Sequence, residues 1–156
     1  MGVTTVTQEF TSSVSASKLF KGLAVDSHNL LPQIAPDSLQ SYDIVEGDGG
    51  AGTIKHLKFT VGGKEQSVKD RVDVLDTDNH YCKHTYFEGV GEKLESVVYE
   101  VKVEASGEGS VAKFTSHYHA KDGADIDELV KSGEKKTGGF FKLVEAHLLA
   151  NPSVYA

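Results

Sequence analysis

Apolar and polar residues alternate along most of the chain with the period of two that is typical of half-buried β-strands. Residues 94–105 show it most clearly, because Val97, Tyr99, Val101 and Val103 share one face and charged residues occupy the other. Turn residues separate similar runs elsewhere. The pattern predicts strands at 3–11, 39–46, 53–61, 64–74, 80–88, 94–105 and 111–120. The short connections between the last six predict an antiparallel meander.

Helical spacing appears in three places. Leu19, Phe20 and Leu23 form a stripe in a helix predicted at 16–25, and a second short helix is predicted at 28–34, ending before Pro36. Acidic residues at 125–128 favour the start of a long helix that runs to about residue 150. Its predicted inward stripe follows helical spacing and consists of Leu129, Gly133, Thr137, Phe140, Val144 and Leu148. The order of elements indicates an α+β fold, with a curved antiparallel sheet gripping a long C-terminal helix in one domain over 1–156.

Two adjacent glycines, Gly138 and Gly139, lie inside the predicted long helix. Each costs about 1 kcal/mol relative to alanine in a helix interior. The pair therefore predicts either a local bend or a close approach by another group.

A glycine-rich segment, residues 46–53, connects two predicted strands. A phosphate-binding loop requires a helix after the glycines, whereas residues 54–61 alternate as a strand and no Gly-Lys-Ser/Thr ending is present. We interpret the segment as a tight turn that needs positive φ. Its successive amides are also expected to offer a small nest for a weakly bound phosphate or sulfate. The residues concerned are Gly47, Asp48, Gly49, Gly50 and Gly52.

Composition and charge narrow the range of functions. The formal net charge is −7, and the chain has no dense Lys/Arg cluster of the kind that neutralises phosphates, which disfavours nucleic acid as a partner. There is no run of about 18 apolar residues that would span a membrane, and the N-terminus does not resemble a secretory signal. Cys82 is the single cysteine, which suits a reducing compartment. We therefore expect a cytoplasmic monomer.

Several motifs together resemble a known family. They are the segment 46–53 (Glu-Gly-Asp-Gly-Gly-Ala-Gly-Thr), Lys-Leu-Phe-Lys at 18–21, Lys-Asp-Arg-Val-Asp at 69–73, Tyr-Phe-Glu-Gly at 86–89 and the ending at 148–156. The chain resembles, over its whole length, the plant class-10 pathogenesis-related proteins, the family of the major birch pollen allergen. The resemblance implies a seven-stranded sheet, a long helix, two short helices in a V and a large hydrophobic cavity.

The same resemblance implies a function in plant defence or stress, including abscisic acid-activated signalling. The expected partners are small hydrophobic or amphiphilic plant molecules, such as cytokinins, flavonoids and sterol-like compounds, and no cofactor is expected. A cavity of this kind is walled by the inward faces of the strands and of the helices. The candidates are Gln8, Phe10, Leu23, Leu39, Leu57, Phe59, Cys82, His84, Tyr86, Val97, Tyr99, Val101, Phe114, Ser116, Tyr118, Phe140 and Val144.

The residues alone support a solid core and a cavity equally. Polar ends on the inward set, such as Gln8 and Ser116, favour a cavity because a dry core avoids unpaired polar groups. Lys69 and Lys136 are expected either at the cavity entrance or in solvent, and Gly139 beside Gly138 would leave room for a ligand. His84 stands where relatives commonly have tyrosine, either as a packed wall residue or as a ligand contact.

The resemblance also implies two enzymatic alternatives. Ribonuclease activity is attributed to the family, and the matching positions are Lys55, Glu95, Glu145 and His147, with histidine in place of tyrosine. A condensation reaction, as in the related norcoclaurine synthases, uses a lysine and acids inside the cavity, and the inward face of 111–120 has none.

The histidines and the cysteine of the chain raise two further possibilities, a metal site and a reactive thiol. His117 with His119, and His80 with His84, share strand faces but need further ligands to hold a metal, so we expect no metal. Cys82 is expected to pack as a small hydrophobic residue rather than to act as a nucleophile.

Overall fold

The computed structural model describes residues 2–37, 39–61 and 63–155. Across these residues seven strands form one sheet in the order β1-β7-β6-β5-β4-β3-β2, and all neighbours are antiparallel. This confirms the predicted curved antiparallel arrangement. The strands are β1 Gly2–Ser12, β2 Leu39–Glu46, β3 Ile54–Val61, β4 Lys64–Asp76, β5 Tyr81–Glu88, β6 Leu94–Ser106 and β7 Gly109–Ala120.

The hairpin between β3 and β4 is as tight as its two glycines predict, because Val61 pairs with Lys64. Gly62 itself lies outside the described residues. At the next turn, the Asp76 carboxylate accepts hydrogen bonds from the backbone and the side chain of Asn79. Polar turn residues thus fix the register of the meander where the sequence indicated.

The helices are α1 Ala16–Phe20, α2 Ser27–Ile34 and α3 Asp127–Ala150. The helix predicted at 16–25 continues past α1 as a π-helical segment, Lys21–Val25. Gly22 lies in this segment, and a Cβ built there would stand 2.8 Å from Cγ1 of Val144. Glycine at this position therefore lets the π-helical segment approach α3 closely. No described helix is long and apolar enough to span a membrane.

The inward face of α3 differs by one residue from the predicted stripe at two places. Val130 and Phe141 are buried together with Val144 and Leu148, whereas Leu129 is 40% exposed. Phe141 stacks on Phe10 of β1 with ring centroids 4.7 Å apart.

The helix runs without interruption through the two adjacent glycines. A Cβ at Gly138 would meet only the Phe10 ring, at 3.8 Å, and a Cβ at Gly139 would meet nothing within 4 Å. The close approach on α3 instead occurs at Gly133, against the hydroxyl group of Tyr118 on β7.

The apolar interior is divided into three clusters. The largest joins α1, the π-helical segment and the second half of α3 to β6 and β7, and contains Leu19, Phe20 and Val103. A second lies at the start of α3, and a third lies under β2, β3 and β4. The space between these clusters is not filled by side chains, and the cavity lies there.

Candidate functional site

A cavity of about 480 Å³ lies between the concave face of the sheet and helices α2 and α3. Its wall is mostly aliphatic and aromatic, with a small number of polar side chains. The wall residues are Leu23, Ala24, Ser27, Leu31, Ala35, Leu39, Tyr42, Gly49, Lys55, Asp70, Val72, Leu75, Cys82, His84, Tyr86, Tyr99, Val101, Phe114, Gly133, Lys136, Thr137, Gly139, Phe140 and Leu143.

The opening of the cavity is marked by wall residues that are also exposed. Lys136, Gly139 and Leu143 lie on α3 and face solvent as well as the cavity. Gly49, in the glycine-rich segment, is half-buried and lines the same cavity. The cavity therefore meets solvent beside the middle of α3.

The structure brings many of the predicted cavity residues together on this wall. They come from the π-helical segment, four strands and α3, and are Leu23, Leu39, Cys82, His84, Tyr86, Tyr99, Val101, Phe114, Lys136, Gly139 and Phe140.

Other predicted cavity residues lie off the wall, several of them where α3 packs onto β1 and β7. Gln8 donates a hydrogen bond from Nε2 to the backbone oxygen of Glu134, at 3.2 Å. The rest are packed within the apolar clusters or buried beside them: Phe10, Leu57, Phe59, Val97, Ser116, Tyr118 and Val144. In this structure these residues pack beside the cavity and do not line it.

Lys69 is not part of the cavity wall and lies on the solvent side of the sheet, which is one of its two expected positions. Its side chain points away from the cavity and forms a salt bridge with Glu88, with Nζ and Oε2 3.3 Å apart. Its neighbour Asp70 points inward instead and is 1% exposed. Alternation along β4 explains the difference, because Val68 and Val72 are buried on the same face as Asp70.

The polar part of the wall is a cluster formed by Tyr42, Lys55, Asp70 and His84. Lys55 and Asp70 are directly paired across β3 and β4. The hydroxyl group of Tyr42 donates a hydrogen bond to Oδ2 of Asp70 at 2.7 Å, and Nδ1 of His84 lies 3.7 Å from the same oxygen. The other carboxylate oxygen, Oδ1, is buried and has no partner in the described structure.

The environment of Asp70 keeps it ionised. Burial favours the neutral acid, but hydrogen bonding and charge from His84, the hydrogen bond from Tyr42 and the charge of Lys55 outweigh it, so the pKa of Asp70 lies below its ordinary value. Burial raises the pKa of Tyr42, and the nearby Asp70 adds to this effect. At neutral pH the cavity thus presents a carboxylate that accepts hydrogen bonds and a phenol that donates one.

Burial lowers the pKa of Lys55, although the negative charge of Asp70 opposes this effect. Lys55 is 4% exposed. Burial also raises the pKa of Cys82 to about 11, so that residue lines the cavity as a neutral thiol, in agreement with the expected packed role.

An aromatic group covers one side of the cavity. His84, Tyr86 and Tyr99 contact one another with ring centroids 5.0 to 5.5 Å apart. Burial raises the pKa of both tyrosines, so their hydroxyl groups remain protonated at physiological pH. Such rings offer flat apolar surface together with hydrogen-bonding groups at the edge.

The glycine-rich segment is a rigid turn pinned to β4. Gly47, Gly49 and Gly52 have positive φ. The amide of Gly49 donates to Oγ1 of Thr53, the amide of Gly50 to Oδ1 of Asp48, and the amide of Gly52 to the Val72 oxygen. These three amides are occupied within the protein, so they do not contribute to the expected anion nest in this conformation.

The ribonuclease candidates are not brought together. Lys55 is inside the cavity, whereas Glu95 is exposed at the start of β6. Glu95 follows Leu94, which packs with Val130 near the start of α3. Glu145 and His147 lie near the other end of α3, and at 1.5 Å per residue about 22 Å of helix separates Val130 from Glu145.

Two of the histidines considered as metal ligands have other surroundings. His117 pairs with Glu100 at 2.6 Å and with the hydroxyl group of Thr5 at 3.0 Å. His80 packs against Phe20 with ring centroids 5.4 Å apart. Within the described residues, no group of three or more His, Cys, Asp or Glu side chains is arranged to hold a metal ion.

A curved antiparallel sheet closed by a long helix around a hollow apolar interior defines a class of helix-grip cavity proteins. The chain matches the family model described as "Pathogenesis-related protein Bet v 1 family" over residues 1–151. The chain belongs to this family, as its motifs suggested. Major allergen Pru ar 1 of Prunus armeniaca is 46% identical over 159 aligned positions, which cover 99% of both chains.

Solved structures agree with this assignment. The crystal structure of Ara h 8.0201 superimposes with a TM-score of 0.89 at 37% identity, covering 96% of this chain and 100% of that one. Norcoclaurine synthase from Thalictrum flavum superimposes with a TM-score of 0.80 at 20% identity, covering 95% of this chain and 87% of that enzyme. The second comparison shows a shared fold alone.

Proposed function

We propose that this chain is an intracellular plant defence- or stress-related carrier that holds a small hydrophobic or amphiphilic molecule in its cavity. The observation that carries the proposal is the cavity of about 480 Å³ with its apolar wall and few polar side chains. Small-molecule sites in proteins have volumes of about 300–1,000 Å³ and the same mixture of lining groups.

The wall chemistry favours a flat or fused-ring ligand with a polar edge. His84, Tyr86 and Tyr99 provide the aromatic surface, while Asp70 offers a carboxylate oxygen without a partner. A hydroxyl or amino group on the ligand would satisfy that oxygen, and burial of the ring system would supply the affinity. Cytokinins, flavonoids and sterol-like compounds combine these features.

A fluorescence titration with anilinonaphthalene sulfonate, a dye whose emission rises in apolar surroundings, tests the proposal. We expect saturable binding, and displacement by at least one of a cytokinin, a flavonoid, abscisic acid and a sterol. Binding that does not saturate, together with no displacement by any of the four, would refute the carrier function.

A matched pair of variants locates the binding site. Gly139 lies at the cavity opening with open space around it, so Gly139→Leu should narrow the opening and weaken dye binding without loss of stability. Ser132 is exposed on α3 and is not part of the wall, so Ser132→Leu adds the same side chain elsewhere. Equal dye affinity in both variants would place the dye outside the cavity.

Cytoplasmic location and a monomeric state are parts of the same proposal. Cys82, the single cysteine, is buried, so it offers no exposed thiol for a disulfide between chains. Light scattering at increasing protein concentration should give a constant mass near 16.8 kDa. A mass that rises with concentration would contradict the monomer.

A further inference from the structure

Lys55 holds an unusual place for a lysine. It lies on β3 shortly after the glycine-rich segment, is 4% exposed and lines the cavity. Lysine side chains are almost never buried without a partner that neutralises the charge. An inward lysine in an apolar cavity therefore calls for an explanation beyond packing.

Asp70 acts on Lys55 through its charge, but the amino group of Lys55 makes no direct salt bridge with it in the described structure. Its Nζ lies 5.4 Å from the centre of the Tyr42 ring. Within the part of the chain that the structure describes, Nζ makes neither a salt bridge nor a hydrogen bond to another residue. The group is thus available to a molecule that enters the cavity.

Groups that move protons lie beside Lys55. Asp70, its partner across the strands, is ionised and has one oxygen without a hydrogen bond. Tyr42 remains protonated and donates to the other oxygen. Because burial lowers the pKa of Lys55, a larger fraction of its amine is neutral and nucleophilic than for an exposed lysine.

We propose that Lys55 forms a reversible imine with an apolar aldehyde or ketone held in the cavity. This proposal rests on the proposed carrier function and names one chemical class of ligand. Nζ attacks the carbonyl carbon to give a carbinolamine, and its C–O bond then breaks as the C=N bond forms. Both protons lost by the neutral amine end on the oxygen, which leaves as water. No oxidant, reductant or cofactor takes part.

The cavity favours the imine over its hydrolysis. Water must return to the C=N carbon to reverse the reaction, and a ligand that fills the apolar wall formed by Val72, Val101 and Phe114 excludes it. Lys136 also borders the cavity, but it is exposed, so its ammonium group is solvated and imines formed there hydrolyse readily. The structure thus distinguishes the two lysines of the wall.

Reductive trapping tests the proposal. The full chain is incubated with methoxynaphthaldehyde and sodium cyanoborohydride, and the modified lysines are located by mass spectrometry of peptides. We expect the adduct to be at least tenfold more abundant at Lys55 than at Lys136. An excess of anilinonaphthalene sulfonate should reduce the adduct at Lys55. The corresponding naphthyl alcohol should compete for the cavity but leave no adduct.

Lys55→Met supplies the variant control, because methionine keeps the length and the apolar stem of lysine. The variant should lose the adduct at residue 55, and circular dichroism checks that it folds. If it does not fold, the distribution of adducts on the wild-type chain, with and without the dye, decides the question alone.

The outcomes separate the two proposals. Saturable dye binding without preferential modification of Lys55 would overturn the imine and leave the carrier function standing. The imine is equally overturned if adducts form on exposed lysines in proportion to their exposure and the dye does not reduce them. Absence of both dye binding and a Lys55 adduct would overturn the carrier function as well.

Discussion

Gly133 on α3 lies so close to the Tyr118 hydroxyl group on β7 that a Cβ built at the glycine would stand 2.0 Å from that oxygen. Tyr118 is 3% exposed and belongs to the same buried cluster as Val97 and Val130. Glycine at this position is therefore a packing requirement that brings α3 onto the sheet beside the cavity.

Gly133→Ala should destabilise the protein by about 1–3 kcal/mol, as overpacking of a filled core usually does. The gain of about 1 kcal/mol in helix propensity is too small to offset the collision. Denaturant unfolding monitored by circular dichroism measures the change.

Gly139→Ala is the matched control on the same helix. A Cβ there would meet nothing within 4 Å. Only the higher helix propensity of alanine then changes the stability, so the variant should be more stable by up to about 1 kcal/mol. Similar changes in both variants would show that the contact with Tyr118 relaxes without cost.

Strand alternation predicted the inward faces well where the strands are regular. On β6 and β7 the expected faces are buried, including Val97, Val103 and Phe114. The same rule places Lys55 with Leu57 and Asp70 with Val68, but charged side chains are expected in solvent, so both were missed as parts of the cavity wall. The signal in the sequence is a lysine and an aspartate on adjacent strands, each at a position where alternation predicts an inward-facing side chain. That signal would have identified the polar cluster.

The irregular pairing of β4 and the packing of α3 on the sheet could not be predicted from local sequence patterns. The pairing of β4 with β5 shifts between Val72 and Val74, as at a β-bulge, after which Val74 is 39% exposed and Leu75 lines the cavity. Whether the interior is hollow or filled depends on how α3 rests on the sheet, and this follows from contacts such as Gly22 with Val144. Such contacts join distant segments, so local patterns do not reveal them.

Tyr42→Phe should destabilise the protein by about 1–3 kcal/mol at neutral pH, because it removes the hydrogen bond to the buried Asp70 carboxylate. The pKa of Asp70 should rise in the variant. Tyr81→Phe is the control: Tyr81 donates to Glu100, which is only half-buried and keeps its bond to His117. The control should therefore lose less stability in urea unfolding, and an equal loss would contradict the prediction.

The stability difference between wild type and Tyr42→Phe should depend on pH in one direction. The pKa of Asp70 in the folded protein lies below its ordinary value of 3.8. A lowered pKa contributes stability that is present above the ordinary value and is lost as pH falls through the folded one. Urea unfolding from pH 7 down to pH 3 should therefore show the difference shrinking below about pH 4. A difference that grows on acidification would show that Asp70 is not the partner that matters.

Gly47→Ala should destabilise the protein more than Gly49→Ala. Both glycines have left-handed φ, of 97° and 104°, so alanine introduces backbone strain of about 1–3 kcal/mol at either site. At Gly47 the new Cβ would also stand 2.8 Å from Cα of Thr53, whereas at Gly49 it would meet nothing within 4 Å. Thermal unfolding gives the order of stability, and the reverse order would refute the argument.

Amide hydrogen exchange distinguishes the collision with Thr53 from the backbone strain that both variants share. Displacement of Thr53 in Gly47→Ala should weaken the bond from the Gly49 amide to Oγ1 of Thr53, so hydrogen exchange at Gly49 should accelerate. The exchange rate of the same amide would stay unchanged if the collision were absorbed elsewhere.

Lys136→Gln should weaken the binding of an anionic apolar ligand by about two- to fivefold, because Lys136 brings positive charge to the cavity opening of a chain with net charge −7. The factor corresponds to the modest interaction of an exposed charge with an ion. Lys69→Gln removes the same charge from the outer face, where it pairs with Glu88, and should leave the affinity unchanged.

Titrations of both variants with anilinonaphthalene sulfonate, and with a neutral apolar dye, measure these effects. The loss in Lys136→Gln should shrink as salt is raised to about 1 M, because screening shortens the reach of the charge to about 3 Å, and the neutral dye should bind all forms equally. Equal weakening by Lys69→Gln would mean that the overall charge of the chain, rather than the position of Lys136 at the opening, governs the binding of anions.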